Sequence, residues 1–174
     1  MNQQSYCLDA NVLIQAWQSY YSPDFCPLYW QVLNDLGVQK RVFIPQMVYN
    51  EVADTEDDLG KWLKKSKIPI DKIDGNVTEI LKQIYAANES HKYLVDNTKQ
   101  RSLADPWLIA HAIKAHACVV TKEIKVTAAN SNRIKIPNVC DNMNVRWIND
   151  FQLVRELKIK FSCKVDAKIQ GELF

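Results

Sequence analysis

Short apolar runs alternate with helically spaced stretches along most of this chain, and that alternation confines it to a small set of folds. Ser5 to Leu8 is an apolar run followed by Asp9, then by Val12, Leu13, Ala16 and Trp17 at helical spacing. Beyond the turn-rich segment from Tyr21 to Pro27, Leu28, Val32, Leu33 and Leu36 mark a second helix, with Gly37 where it should end. Val42, Phe43 and Ile44 form the next strand. Pro45 restarts a helical pattern that puts Val48, Val52, Thr55, Leu59, Trp62 and Leu63 on one side. Residues 66 to 76, with Pro69 and Gly75, read as a connection, and Val77 to about His91 as a long helix. Asp96 to Ser102 is polar and reads as loop. Asp105-Pro106 then opens a helix through Leu108, Ile109, Ala112 and Ile113, ending near His116 before the strand Cys118 to Thr121. Ile134, Ile136 and Val139 read as a further strand.

Strands separated by helices join through crossovers, so the expected architecture is α/β: three layers, a central, mainly parallel sheet flanked by helices on both faces. The length of 174 residues and 47% apolar content suit one buried core. Residues 1–157 form that expected domain. Residues 158–174 differ, because Ile159, Phe161, Cys163, Val165, Ala167 and Ile169 alternate with Lys158, Lys160, Ser162, Lys164, Asp166 and Lys168. This is the pattern of a strand buried on one face, either an edge guarded by lysines or a strand that pairs with a partner chain.

Composition removes several function classes. Charged residues make up 24% and the formal net charge is +2, which rules out a disordered or collagen-like chain and gives no general argument for a polyanionic partner. Only four glycines occur, too few and too scattered for a phosphate-cradling loop. The five cysteines include no C-x-x-C pair, against a disulfide framework or a zinc knuckle. No serine lies in a G-x-S-x-G elbow and no cysteine has an activating motif, so covalent hydrolysis has little support. No secretory signal and no long apolar run is found, so a cytoplasmic location is expected.

In an open parallel sheet the binding crevice lies beyond the carboxyl ends of the strands. Four acids are delivered toward it. Asp9 follows the first strand, Glu51 lies in the helix entered from the second, Asp105 starts a helix, and Glu123 stands just past Val119-Val120-Thr121. If they converge, each pair at about 4 Å repels by roughly 4 kcal/mol at an effective dielectric of 20. A hard divalent cation, Mg²⁺ or Mn²⁺, relieves that repulsion and leaves positions for a phosphate oxygen and a water, which describes a metal-dependent phosphodiesterase.

Each acid also has a structural reading. Asp105 before Pro106 is a familiar helix cap, Asp9 could cap the helix near Asn11, Glu123 could be a loop charge and Glu51 a solvated edge residue. Asp54, Glu56, Asp57 and Asp58 read as a water-facing helix surface. Lys61, Lys64, Lys65 and Lys67 are either the same solvated face or a rim that contacts phosphates. His111 and His116 are five residues apart, about 140° on a helix, and so cannot form the i, i+4 pair of a zinc protease.

Taken in order, Leu8-Asp9-Ala10-Asn11, Ile44-Pro45 followed by Glu51, the segment Ala104-Asp105-Pro106-Trp107-Leu108-Ile109-Ala110-His111-Ala112, and Val119-Val120-Thr121-Lys122-Glu123 resemble the PIN-domain ribonucleases over roughly residues 5 to 157. The resemblance implies a PIN-like fold and a Mg²⁺- or Mn²⁺-dependent endoribonuclease, often the toxin of a VapC-type toxin-antitoxin pair. It further implies an RNA substrate, a cognate antitoxin, frequent homodimers, and cleavage leaving a 3′-hydroxyl and a 5′-phosphate. Asp9, Glu51 and Asp105 match the family's first three acids, and Asn11 the polar residue two places after the first. The fourth position departs, because Thr121-Lys122-Glu123 has Glu where VapC-type toxins have Asp and then continues Ile124-Lys125. The segment from Ile134 to Val139, with Pro137 and Cys140, looks like a distinct PIN-like branch. The implied metal set is Asp9, Asp105 and Glu123 with Glu51 assisting, supported by Asn11 and Thr121.

Three other readings compete. A haloacid-dehalogenase-like phosphoaspartate enzyme would need a second Asp where Asn11 stands, and a receiver-like domain would use Thr121 and Lys122 beside clustered acids. A non-catalytic PIN-like module binding RNA or protein is the third.

Overall fold

The computed structural model describes residues 3–95, 103–127 and 134–162. Its centre is a sheet of five short strands: β1 (Tyr6–Leu8), β2 (Val42–Pro45), β3 (Ile70–Asp71), β4 (Cys118–Val120) and β5 (Trp147–Ile148). Their order is β3-β2-β1-β4-β5 and every pairing is parallel. Parallel strands covered by helices lose water on both faces, which is why the three central strands are continuous apolar runs. All residues of β1, β2 and β4 are buried. A receiver-like sheet has its strands in the order 2-1-3-4-5. The observed order places β1 between β2 and β4 instead, and so departs from that competing reading.

The helices α1 (Ala10–Gln15), α2 (Pro27–Val38), α3 (Gln46–Ala53), α4 (Asp58–Lys65), α5 (Gly75–Ala87), α6 (Asp105–Lys114), α7 (Ile136–Asn142) and α8 (Asp150–Glu156) flank the sheet. The sequence reading of an α/β fold with a central parallel sheet therefore holds. Helix α6 crosses β1, β2 and β4 and packs against α3, α5 and α7. Its Leu108, Ile109, Ala110, His111 and Ala112 are buried in succession, as expected for a helix enclosed on all sides.

Several local expectations are corrected. The helix expected from Pro45 through Leu63 is two helices, because Asp57 accepts from the Gly60 amide at 2.8 Å and starts a new one. The acids around it are thus a helix junction and not one continuous face. The connection from 66 to 76 contains β3, which is too short to show a period. The long helix from Val77 ends at Ala87, and a 3₁₀ turn, Glu89–Leu94, follows where the Asn88 side chain accepts from the Ser90 amide. The strand expected over Ile134 to Val139 is helix α7: Pro137 sits in its first turn, and Ile136, Val139 and Cys140 are buried at i, i+3 and i+4. Strand β5, only two residues long, had no sequence signal. Residues 159–162 form no regular element, and the rest of the alternating tail, like the loop expected over Asp96 to Ser102, lies outside the described residues.

Gly37 lies inside α2, and the left-handed residue after the helix is Lys40, with φ of 56°. The glycine serves close packing instead. A Cβ there would sit 2.7 Å from the Ile68 Cα and 2.9 Å from the Lys67 carbonyl oxygen. Farther on, the fully buried Asp150 at the start of α8 accepts from Lys122 Nζ at 2.9 Å, and that ammonium lies 4.8 Å and 4.6 Å from the ring centres of Tyr20 and Phe151. The strand-end lysine that a receiver would need free is thereby engaged.

Among the described residues no helix is long and apolar enough to cross a membrane. Gly37→Ala gains helix propensity but drives a methyl into backbone, so urea denaturation should show a loss of about 1–3 kcal/mol. Lys122→Met strands a buried carboxylate and should cost about 3–5 kcal/mol in the same assay, whereas a loss under about 1 kcal/mol would show that Asp150 does not depend on this cation.

Candidate active site

Strand order reverses between β1 and β4, and in open α/β sheets the crevice at such a point lies off the carboxyl ends of the strands. Asp9 is the first residue past β1. Its amide donates to the Val120 carbonyl at 3.0 Å, which extends the ladder one step beyond Leu8. Asp9 occupies the capping position of α1, yet its side chain makes no capping bond. Instead its Oδ2 accepts from the Thr121 hydroxyl at 2.7 Å, across the β1–β4 boundary.

Thr121 and Asn11 form the support for that carboxylate. The Thr121 Oγ1 accepts from the Glu123 amide at 3.1 Å and from Asn11 Nδ2 at 3.4 Å, while Asn11 Oδ1 accepts from the Lys122 amide at 2.9 Å. The turn after β4 is thus tied to the first turn of α1. Both residues expected to assist the first acid are in contact with it or with its partner.

Asp105 is the first residue of α6, preceded by Ala104 at the cap position, and no side chain caps this helix. The capping reading of Asp105 does not hold. Burial, followed by the charges of Asp9, Glu123 and Glu51, pushes its carboxyl up to about 9, with Lys135 pulling the other way. Burial also pushes Asp9 up to about 7, with Glu123 and Glu51 adding to the rise and the Thr121 hydroxyl and Ala10 amide opposing it. Glu51 and Glu123, carried by two further segments, therefore act on the charge of Asp9 and Asp105. Burial and like-charge repulsion both raise proton affinity, because they disfavour the charged form of a carboxyl.

Glu123 is held differently. Its Oε1 accepts from Lys135 Nζ and its Oε2 from the Ile136 amide, at 2.9 Å and 2.8 Å. The fourth acid is thereby anchored to the start of α7. Among the described residues no three Asp, Glu, His or Cys side chains form a group that could hold a metal ion as they stand. The donors are nonetheless carboxylate, hydroxyl and amide oxygens, the set that a hard dication prefers. Both raised carboxyls hold protons more tightly than an ordinary aspartate, and a dication in place of those protons would supply the missing positive charge.

The remaining sequence candidates lie elsewhere. Lys61 pairs with Asp58 on the solvent-facing side of α4. His111 is fully buried, its Nδ1 2.8 Å from Asp71 Oδ2, and Lys114 reaches the same carboxylate at 3.1 Å. His91, also fully buried, has Nδ1 2.6 Å from the Ile84 carbonyl and Nε2 3.0 Å from Asn142 Nδ2. These are packing histidines. The residue that sequence reading missed is Lys135, twelve positions past Glu123 in a segment expected to enter a strand.

Comparison with known proteins places this geometry. No curated protein sequence matches the chain. Among solved structures, VapBC2 from Rickettsia felis, crystallised bound to a DNA fragment from its promoter, superposes with a TM-score of 0.54 at 18% identity, over 84% of this chain and 98% of that one. The fold is accordingly a VapC-like PIN fold, as the ordered acids led us to expect. Residues 6–161 match the model of a domain of unknown function, DUF4411, and the chain belongs to that family.

Proposed function

We propose that this protein is a metal-dependent endoribonuclease that hydrolyses RNA phosphodiester bonds, and that it acts as the toxin of a type II toxin-antitoxin pair. The observation that carries this reading is the buried Asp9 and the partly buried Asp105 at the strand-order reversal, pushed up to about 7 and about 9 by burial and by the charges of Glu123 and Glu51, with Asp9 adding to the rise at Asp105. A fold has no structural need to bury repelling acids, and the cost is accepted where a cation or a reaction uses them. Asp9 and Asp105, with Glu51 assisting, would hold Mg²⁺ or Mn²⁺, and Glu123 would border the ion. Such an ion polarises a phosphodiester and lowers the pKa of a bound water.

The chain's own side chains supply the rest. The Thr121 hydroxyl, donating to Asp9 Oδ2, fixes the orientation of that carboxylate and leaves Oδ1 for a ligand. Asn11 braces the turn after β4, so that Glu123 leaves the sheet at a set angle. Burial of Asp9 and Thr121 keeps water from screening that carboxylate, which makes its electrostatic contacts stronger than at the surface. The VapBC2 neighbour supports a cognate antitoxin as partner. A second reading, a PIN-like module that binds RNA or protein without cutting it, is favoured by one observation: both Glu123 oxygens are already engaged.

Asp9→Asn and Asp105→Asn should each lower RNA cleavage by at least about 100-fold while melting at or above the wild-type temperature, because they remove crowded negative charge. Undiminished cleavage by both variants would exclude the assignment, and Mn²⁺ titration of wild type against Asp9→Asn separates the binding module from the enzyme. A 2′-deoxy substitution at the cut site should leave cleavage intact, with a 5′-phosphate on the downstream fragment, since water and not the ribose oxygen attacks.

Both carboxyls bind protons more tightly in the folded chain than unfolded, where Asp titrates near 3.9. Their stabilising contribution is complete below that value and is lost as the pH rises through about 7 and about 9. Without metal, the melting temperature should fall as the pH is raised through this window. Asp105→Asn should flatten the upper part of the fall, and excess Mn²⁺ should reduce all of it.

A further inference from the structure

Lys135 is the one group in this neighbourhood that the proposed chemistry leaves unexplained. It stands at the start of α7, its side chain about half exposed, with Nζ 2.9 Å from Glu123 Oε1. Its positive charge also reaches Asp105, on a different element, and counters the three acids that crowd it. Glu123 cannot swing freely from this pairing, because its second oxygen accepts from the Ile136 amide in the adjoining turn. Lys135 and its neighbour thus clamp one carboxylate from both sides, and the ammonium is directed toward the acids.

Resting on the nuclease reading above, we propose that Lys135 fills the position of a second cation, so that the site takes one divalent ion, held by Asp9, Asp105 and Glu51, together with this ammonium. A second dication placed between Glu123 and Asp105 would meet the ammonium as a like charge and would have to displace it from Glu123. An ammonium carries three donors and a compact charge, suited to a non-bridging phosphate oxygen of the RNA beside the ion. The departure of the fourth motif from the VapC pattern has a physical sense in this arrangement. A glutamate, one methylene longer than aspartate, reaches the helix terminus and the lysine instead of closing on the ion.

The test is the stoichiometry and affinity of Mn²⁺, measured by calorimetry on the full chain without RNA, in wild type and in Lys135→Ala, Lys135→Gln and Lys135→Arg. Expected are one ion per wild-type chain, a second, weaker ion in Lys135→Ala and Lys135→Gln, and one ion again in Lys135→Arg. RNA cleavage by Lys135→Ala should drop about 100-fold at low Mn²⁺ and recover as Mn²⁺ is raised, its dependence on metal becoming second order. Two ions on the wild type would overturn the role of Lys135 and leave the nuclease reading standing. No ion on the wild type would overturn both. Should Lys135→Ala fail to fold, judged by circular dichroism, the wild-type count and the Lys135→Gln and Lys135→Arg variants still decide.

Discussion

The registry of β1 against β4 is the constraint on which the rest of the site depends. Tyr6, Cys7 and Leu8 pair with Cys118, Val119 and Val120, and the ladder continues through the Asp9 amide. Because side chains alternate along a strand, a slip of one residue would turn Asp9 and Thr121 to opposite faces. Their 2.7 Å hydrogen bond would be lost, and with it the tie through Asn11 that orients the turn leading to Glu123.

Elsewhere in the molecule acids are paired with basic side chains where they stand. Asp150 has Lys122, and Asp71 is shared by His111 and Lys114. These pairs tie α8 to the end of β4 and α6 to β3. The region beyond β1 is arranged differently, since at Asp9 and Asp105 burial and neighbouring acids raise the carboxyls, and at Asp105 this outweighs the opposing pull of Lys135. Within one small domain the contrast separates charges that hold the fold from charges that the fold holds.

The architecture was largely legible because its signal is long and periodic. Strands β1, β2 and β4 are unbroken apolar runs bounded by helices, and α2, α5 and α6 show the 3.6-residue spacing over ten or more residues. Legibility ended where elements are short. Two-residue strands have no period, and α7 presents Ile136 and Val139 at a spacing that a strand reading also accommodates until Pro137 is given weight as a helix-starting residue. The break between α3 and α4 was hidden because the apolar stripe runs on through both helices, while the cap that divides them rests on a single hydrogen bond from Gly60 to Asp57.

For the site, the sequence by itself determined which acids follow which strands, since Asp9, Glu51, Asp105 and Glu123 are each placed by an element whose type could be read locally. Only the tertiary structure decided which of those acids bear on one another's charge. Strand order, which no local pattern encodes, sets β1 beside β4 and so brings Asp9 to Thr121 across 112 positions of chain. The same packing delivers Lys135 to Glu123 from a helix that reads as a strand in the sequence. Charge at a site depends on distance and burial, and both are properties of the packed chain, fixed by long-range contacts that a residue's neighbours in sequence do not specify.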